Sequence, residues 1–242
     1  MCYEESPAVP PLDEIVLTSA DGSTFGAYVA KPAHPTGARI VLLPDVGGLR
    51  PAVGDLARRF AETGAVVIAV DYFGRTAGTG PRGEDFDNDP HVDQLRRADI
   101  IDDVRAALAH LDGDGPAYTL GFCFGGAEAL HAATEDLGLT GAIAFCPWHG
   151  AIGHDPALPD DFVAGVRVPV LGLFGGEDKP VPPTVAAAFE KALAEAGKDH
   201  EIVVYPGQPH GFFEHDHFGD AGHEEAAADA FDRVKAFLAR TA

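Results

Sequence analysis

Cysteine is scarce in this chain: among 242 residues there are only Cys2, Cys123 and Cys146. Three scattered cysteines cannot form a disulfide framework, which favours a reducing, cytoplasmic location. The N-terminal segment lacks a basic region followed by an apolar run, so it does not resemble a secretory signal. No apolar stretch is long enough to cross a membrane as a helix.

Positive charge is also scarce, because 17 Lys and Arg residues face 38 Asp and Glu residues, for a formal net charge of -21. Nucleic acids and anionic membranes both select clustered Lys and Arg. We therefore expect neither to be a partner. The sequence does not indicate an oligomeric state.

Nucleotide-binding signatures are missing as well, since the sequence has no P-loop and no G-x-G-x-x-G after a first strand. A histidine-rich stretch raises the question of a metal, with His215, Asp216, His217 and His223. An H-x-H pair can bind zinc, but here it lacks a spaced partner motif and a nearby cysteine. We therefore expect no metal and no other cofactor.

What the sequence does contain is an alternation of short apolar runs with helical patterns. The runs at residues 40–43, 66–70, 118–120, 142–145, 168–174 and 201–205 are typical of buried parallel strands. Helical apolar stripes lie between them and after the last one. This alternation predicts an α/β fold with a mostly parallel central sheet and helices on both faces. Without a linker or an internal repeat, residues 1–242 are predicted to form one domain.

The N-terminal region differs from this pattern. Residues 14–18 and 24–30 read as two strands joined by a turn at Asp21 and Gly22, which predicts an antiparallel hairpin. In sheets of this kind the chemistry collects at the carboxyl ends of the strands. The residues that follow each apolar run are therefore the candidates for a functional site.

A nucleophile motif follows the run at 118–120. The sequence from Gly121 to Gly126 reads Gly-Phe-Cys-Phe-Gly-Gly, a G-x-nucleophile-x-G elbow with Cys123 between a strand and a helix. Gly121 and Gly125 are expected where the strand and helix backbones approach closely. The start of the helix would favour the thiolate form of Cys123. The alternative is a buried structural cysteine in a glycine-rich turn.

A carboxylate and a histidine follow the later runs in the hydrolase order of nucleophile, acid and histidine. Asp178 comes after residues 168–174, and His210 comes after residues 201–205. His210 would accept the thiol proton, and Asp178 would hold the imidazole in its useful tautomer. Glu177 is the rival acid, although the motif favours Asp178.

These residues resemble the dienelactone hydrolase family. The resemblance rests on Cys123 in its elbow and on short motifs spread over nearly the whole chain: Asp21-Gly22, Phe25-Gly26-Ala27, Asp45, residues 70–75 (Val-Asp-Tyr-Phe-Gly-Arg), residues 175–178 (Gly-Gly-Glu-Asp) and residues 209–212 (Pro-His-Gly-Phe). It implies an α/β-hydrolase fold and a thiol hydrolase that cleaves a lactone or ester through a Cys-His-Asp triad and an acyl-enzyme. A small-molecule ester or lactone would be its substrate. A non-catalytic ligand-binding member of the fold is the alternative.

The resemblance also implies roles around the triad. Asp45 stands where the family usually carries a glutamate that controls thiol ionisation, although Asp45 could equally be a turn residue. The oxyanion hole of this fold takes one N–H from the residue after the nucleophile, here Phe124, and one from the loop after the third strand, which we place at Val46. The remaining candidates for the substrate pocket are Tyr72, Arg75, Cys146, Trp148 and His149.

One further expectation concerns the charge of the substrate. Family members that cleave dienelactone bind its carboxylate with arginines, one of them shortly after the catalytic histidine, where this chain has Glu214. Arg75 or Arg82 could supply a cation instead, but neutral substrates are favoured.

Cys146 is predicted to follow the strand beside the one that carries Cys123. There it would serve as packing or as a partner that resolves an oxidised Cys123.

Overall fold

The structure, a computed structural model, describes residues 10–148, 162–214 and 221–242. The strands of the described residues form one eight-stranded sheet with the order β1-β2-β4-β3-β5-β6-β7-β8. In chain order these strands are β1 (Leu12–Thr18), β2 (Thr24–Ala30), β3 (Arg39–Leu43), β4 (Val66–Val70), β5 (Ala117–Phe122), β6 (Gly141–Phe145), β7 (Val170–Gly175) and β8 (His200–Tyr205).

The sheet is parallel from β4 through β8, and antiparallel only where β1 pairs with β2 and β2 pairs with β4. The predicted N-terminal hairpin is therefore present, with Leu12 opposite Ala30 and Thr18 opposite Thr24. Gly22 supplies the left-handed conformation in its turn, with a φ of 84°. The predicted α/β-hydrolase architecture is confirmed.

Within the described ranges, five longer helices connect or follow the strands: α1 (Pro51–Ala61), α4 (Arg97–His110), α5 (Phe124–Ala132), α7 (Pro183–Glu195) and α8 (Ala221–Thr241). Proline stands at the start of α1 and α7, where its missing N–H costs no helical hydrogen bond. Three single turns were not predicted from the sequence: α2 (Gly74–Ala77), α3 (Asp89–Val92) and α6 (Phe162–Gly165). They are too short to show a helical repeat of apolar residues.

Alternate residues of the central strands enter different cores. Ile40 and Leu42 of β3 pack in one cluster with residues of α1 and α8, whereas Val41 and Leu43 pack in another with residues of α4 and α5. This alternation follows from the two-residue repeat of a strand. A third cluster joins α5 and α7 against β6 and β7. Both faces of the sheet are thus covered, which explains why its strands read as continuous apolar runs.

The register of the parallel strands brings their ends to one edge. Phe122 at the end of β5 pairs with Phe145 at the end of β6, and Phe145 also pairs with Leu173 of β7. Cys123 and Cys146 are therefore the residues just beyond β5 and β6. None of the helices in the described ranges is long and apolar enough to cross a membrane.

Candidate active site

The elbow around Cys123 has the strained geometry that its sequence predicts. Cys123 lies between β5 and α5 with a φ of 51°, in the left-handed region that non-glycine residues rarely occupy. A Cβ at Gly121 would lie 2.0 Å from the carbonyl oxygen of Gly125, and one at Gly125 would lie 2.2 Å from the carbonyl oxygens of Leu43 and Pro44. Only glycine fits at either position, so the turn can place Cys123 at the edge of the sheet.

The environment of the Cys123 thiol corrects one expectation. Burial raises the pKa of this thiol well above its ordinary value, and the charges of Glu214, Asp45 and Asp178 act in the same direction. The N–H of Phe124, at the start of α5, lowers it by a smaller amount. The helix terminus therefore acts as expected but is outweighed. The resting sulfur is a neutral thiol, and it needs a base to become a nucleophile.

His210 and Asp178 form a hydrogen-bonded pair in the same cluster of strand ends. His210 Nδ1 lies 2.7 Å from Asp178 Oδ2, and the other carboxylate oxygen accepts a 2.7 Å hydrogen bond from the N–H of Val181. Asp178 is only 3% exposed, whereas Glu177 is exposed. The carboxylate that contacts His210 is therefore that of Asp178 and not that of Glu177.

The loops that carry this pair are fastened to each other. The N–H of Gly176 donates to the carbonyl of Tyr205 at 2.8 Å, and the N–H of Glu177 donates to that of Gln208 at 2.9 Å. A Cβ at Gly175 would lie 2.5 Å from the carbonyl oxygen of Gln208, so glycine permits this approach. The distance between the acid and the histidine is thus fixed by backbone contacts.

The loop after β3 forms the third part of the site. Its Asp45 carboxylate accepts a 2.8 Å hydrogen bond from the N–H of Gly47 and forms a 2.5 Å ion pair with Arg50. The N–H of Gly48 donates to the Asp45 carbonyl at 3.1 Å. The amides of Gly47 and Gly48 are therefore occupied, which leaves Val46 as the loop's candidate for the oxyanion hole.

A buried ion pair is hydrogen-bonded to the backbone of this loop. Arg82 pairs with Asp71, and both side chains are almost fully buried. Asp71 also accepts a hydrogen bond from the N–H of Leu49, while the N–H of Arg82 donates to the Leu49 carbonyl at 3.0 Å. Arg82 is thus committed to the protein and is not a cation available to a substrate.

Comparison with known proteins identifies the family of this chain. A model of the dienelactone hydrolase family matches residues 25–242. The chain belongs to the dienelactone hydrolase family.

Its relatives carry the names of lactone hydrolases. A Saccharolobus solfataricus protein named as a carboxymethylenebutenolidase is 27% identical over 95% of this chain and 99% of its own length. A Bradyrhizobium protein named as a 2-oxo-3-(5-oxofuran-2-ylidene)propanoate lactonase is 28% identical over 90% of each chain. A Klebsiella pneumoniae crystal structure described as a dienelactone hydrolase superimposes with a TM-score of 0.79, at 29% identity, over 95% of this chain and 98% of its own. The chain is thus similar along almost its whole length to lactone and ester hydrolases.

The remaining pocket candidates of this family member have different positions. Arg75 forms ion pairs with Asp103 of α4 and Asp21 of the N-terminal hairpin. Through these ion pairs the Arg75 guanidinium links the hairpin to α4. Because the guanidinium is already paired, Arg75 is not favoured as a residue that binds substrate. Tyr72 is buried, donates a hydrogen bond to the carbonyl of Pro44 and packs edge-on against Phe124. It packs beneath the loop after β3 and the start of α5.

Cys146 and Trp148 follow β6. The N–H of Trp148 donates to the carbonyl of Cys123 at 2.9 Å, which places this half-buried residue beside the elbow. Cys146 is buried, and its sulfur lies within 4.8 Å of a carboxylate oxygen of Asp178 and a ring nitrogen of His210. The hypothesis that Cys146 resolves an oxidised Cys123 stays a prediction. His149, His215 and His217 lie outside the described residues.

Sequence reasoning missed the pairing of Arg50 with Asp45, and it recognised Glu214 only as the absence of an arginine. Glu214 is half-buried in the turn after His210. Burial raises its pKa well above the ordinary value, the Asp45 charge adds to this rise, and Arg50 opposes it. Asp45 and Glu214 therefore place two carboxyl groups near the Cys123 thiol, and Arg50 pairs with the first of them. The signal for Arg50 was its position directly before Pro51, at the N-terminus of α1.

Proposed function

We propose that this protein hydrolyses a lactone or ester with Cys123 as nucleophile, His210 as base and acid, and Asp178 as the group that orients His210. The observation that carries the proposal is the 2.7 Å hydrogen bond between His210 and the buried Asp178 at the sheet edge that also bears the Cys123 elbow. The names of the relatives support the substrate class. Residues 1–242 act as one domain in this proposal, and a thiol nucleophile favours a cytoplasmic setting.

The reaction starts from the neutral thiol. His210 removes the proton from Cys123 as the sulfur attacks the carbonyl carbon, and the carbonyl oxygen becomes an oxyanion. The N–H groups of Val46 and Phe124 stabilise that charge. Collapse of the intermediate breaks the bond to the leaving oxygen, which takes the proton from His210, and an acyl-thioester remains on Cys123.

Water completes the cycle. His210 accepts a proton from the water as its oxygen attacks the thioester carbonyl, and the second intermediate expels the Cys123 sulfur. The sulfur recovers the proton from His210, and the carboxylic acid product leaves. Asp178 accepts the hydrogen bond from the Nδ1–H of His210 throughout and stabilises the imidazolium that forms in each half of the reaction.

The substrate class follows from the charges around the thiol. Glu214 and Asp45 face the region of Cys123, while Arg50 is paired with Asp45 and Arg75 and Arg82 are committed to other carboxylates. A bound carboxylate would meet the like charge of Asp45, and that of Glu214 once the pH exceeds its raised pKa. We therefore propose that neutral esters and lactones are the preferred substrates.

The proposal is tested by steady-state hydrolysis of neutral lactones and activated esters. Cys123→Ala should lower kcat/KM by at least about 1000-fold, and Cys123→Ser should remain strongly impaired because a hydroxyl is harder to ionise than a thiol. A wild-type protein that binds these compounds without turning them over would support the non-catalytic alternative.

A further inference from the structure

The proposed reaction gives no role to Cys146, the second cysteine of the site. Cys146 directly follows β6, between the strand that ends at the nucleophile and the strand that precedes the acid. It has a φ of 44°, so both cysteines at this edge occupy the left-handed region that β-strands and most loops avoid. A non-glycine residue is held there only when its surroundings determine its conformation. The contacts of Cys146 show what those surroundings are.

The backbone of Cys146 is fixed to β7, because its N–H donates to the Leu173 carbonyl at 2.8 Å. Its side chain is 1% exposed, and the sulfur, an Asp178 carboxylate oxygen and a His210 ring nitrogen all lie within 4.8 Å of one another. The N–H groups of Gly175 and Gly211 also face the sulfur. The thiol is thus enclosed between the loop that carries Asp178 and the loop that carries His210.

The protonation state of this thiol decides what it can donate. Burial raises the pKa of Cys146 well above its ordinary value, and the nearby Asp178 charge raises it further through Coulombic repulsion and a side-chain hydrogen bond. The sulfur therefore keeps its hydrogen at neutral pH. A neutral thiol beside a buried carboxylate is a hydrogen-bond donor, although a weak one.

We propose that Cys146 is a positioning residue: its thiol donates a hydrogen bond to the Asp178 carboxylate and so fixes the acid that orients His210. This inference rests on the proposed function of the triad. Asp178 has two hydrogen-bond partners, His210 and the N–H of Val181, and the sulfur of Cys146 within 4.8 Å would be the third. A buried carboxylate needs such partners, because each unsatisfied acceptor in the interior is costly.

The test compares two substitutions at one position. Cys146→Ser keeps a donor, whereas Cys146→Ala removes it, and Val163→Ala serves as a matched buried truncation in α6, which precedes β7. We expect Cys146→Ala to lower kcat about tenfold with little change in KM, and Cys146→Ser and Val163→Ala to stay within about threefold of wild type. Because serine also fills most of the cysteine volume, the spectroscopic measurements below separate hydrogen-bond donation from packing.

Two spectroscopic measurements separate positioning from general packing. The downfield proton resonance of the His210 Nδ1–H should weaken or broaden in Cys146→Ala and persist in Cys146→Ser. The S–H stretching band of Cys146 is assigned in the wild-type protein by its loss in Cys146→Ser. This band should lie at higher frequency in Asp178→Ala than in the wild-type protein. This second measurement remains available if Cys146→Ala does not fold.

Several outcomes would overturn the inference: a kcat in Cys146→Ala within twofold of wild type, equal losses in Cys146→Ser and Cys146→Ala, or an S–H band that does not respond to Asp178→Ala. These results are distinct from failure of the proposed function. In that case the wild-type protein would show no turnover that depends on Cys123, whatever stands at position 146.

Discussion

Asp178 Oδ2 lies 2.7 Å from His210 Nδ1, and no more than 3% of the Asp178 residue is exposed. A carboxylate in this position holds the imidazole in one tautomer and stabilises its charged form. Glu177, one residue earlier in the chain, is exposed and makes no such contact with His210 in the described structure. The neighbouring carboxylates therefore provide a matched pair for mutagenesis.

We predict that Asp178→Asn lowers kcat by about 10²–10⁴-fold, because the amide either favours the wrong imidazole tautomer or loses the charge that stabilises the imidazolium. Glu177→Gln removes a charge from the same turn and should stay within about twofold of wild type. Hydrolysis of an activated ester by the two variants at equal concentration provides the measurement. The reverse ranking would reassign the acid of the triad.

The elbow glycines allow a prediction about stability. A Cβ at Gly125 would lie 2.2 Å from two backbone carbonyl oxygens, which cannot move as a side chain could. Gly125→Ala should therefore cost at least about 2–3 kcal/mol of unfolding free energy. Gly80→Ala is the control, since a Cβ there meets nothing within 4 Å. Chemical denaturation measures both, and equal stability of the two variants would contradict the close approach of strand and helix.

Glu214 makes the substrate preference depend on pH. Because burial and the Asp45 charge raise its pKa, Glu214 is neutral at low pH and becomes a carboxylate only as the pH passes its raised pKa. Discrimination against an anionic ester should therefore be small below that pKa and grow above it. The measurement is the ratio of kcat/KM for a neutral ester and a matched sulfonate-bearing ester across pH.

Glu214→Gln should flatten this pH dependence, since the amide has no charge to gain. Glu62→Gln, an exposed change just beyond α1, should leave it as in wild type. A ratio that does not change with pH in the wild-type protein would mean that Glu214 does not contact the acyl group. A preference for the anion at all pH values would point to an unassigned cation in the pocket.

The sequence was sufficient for the parts of this molecule that local patterns encode. The limits of the apolar runs predicted the strands closely, since β4 has the predicted residues 66–70, and the glycine spacing predicted the elbow at Cys123. Chain order alone predicts that Asp178 and His210 lie at the same edge of the sheet. These features follow from backbone sterics and from the register of parallel strands.

The sequence was insufficient for contacts that depend on side-chain direction. Arg75 read as a possible substrate cation, but it reaches Asp21 of the hairpin, 54 residues earlier. The start of α5 favours the Cys123 thiolate as expected, but burial and carboxylates from three different loops outweigh this effect. The contact of Cys146 with Asp178 depends on two loops that meet only in the fold. Such effects arise from tertiary packing, which a local pattern does not record.

The central claim is that Cys123, and not the buried Cys146, carries the acyl group. The most direct measurement is the intact and peptide mass of protein quenched during turnover of a slowly deacylating activated ester. We predict one acyl adduct on the peptide that contains Cys123 in wild type and in Cys146→Ser, and none in Cys123→Ala. An adduct on Cys146, or undiminished turnover by Cys123→Ala, would contradict the account.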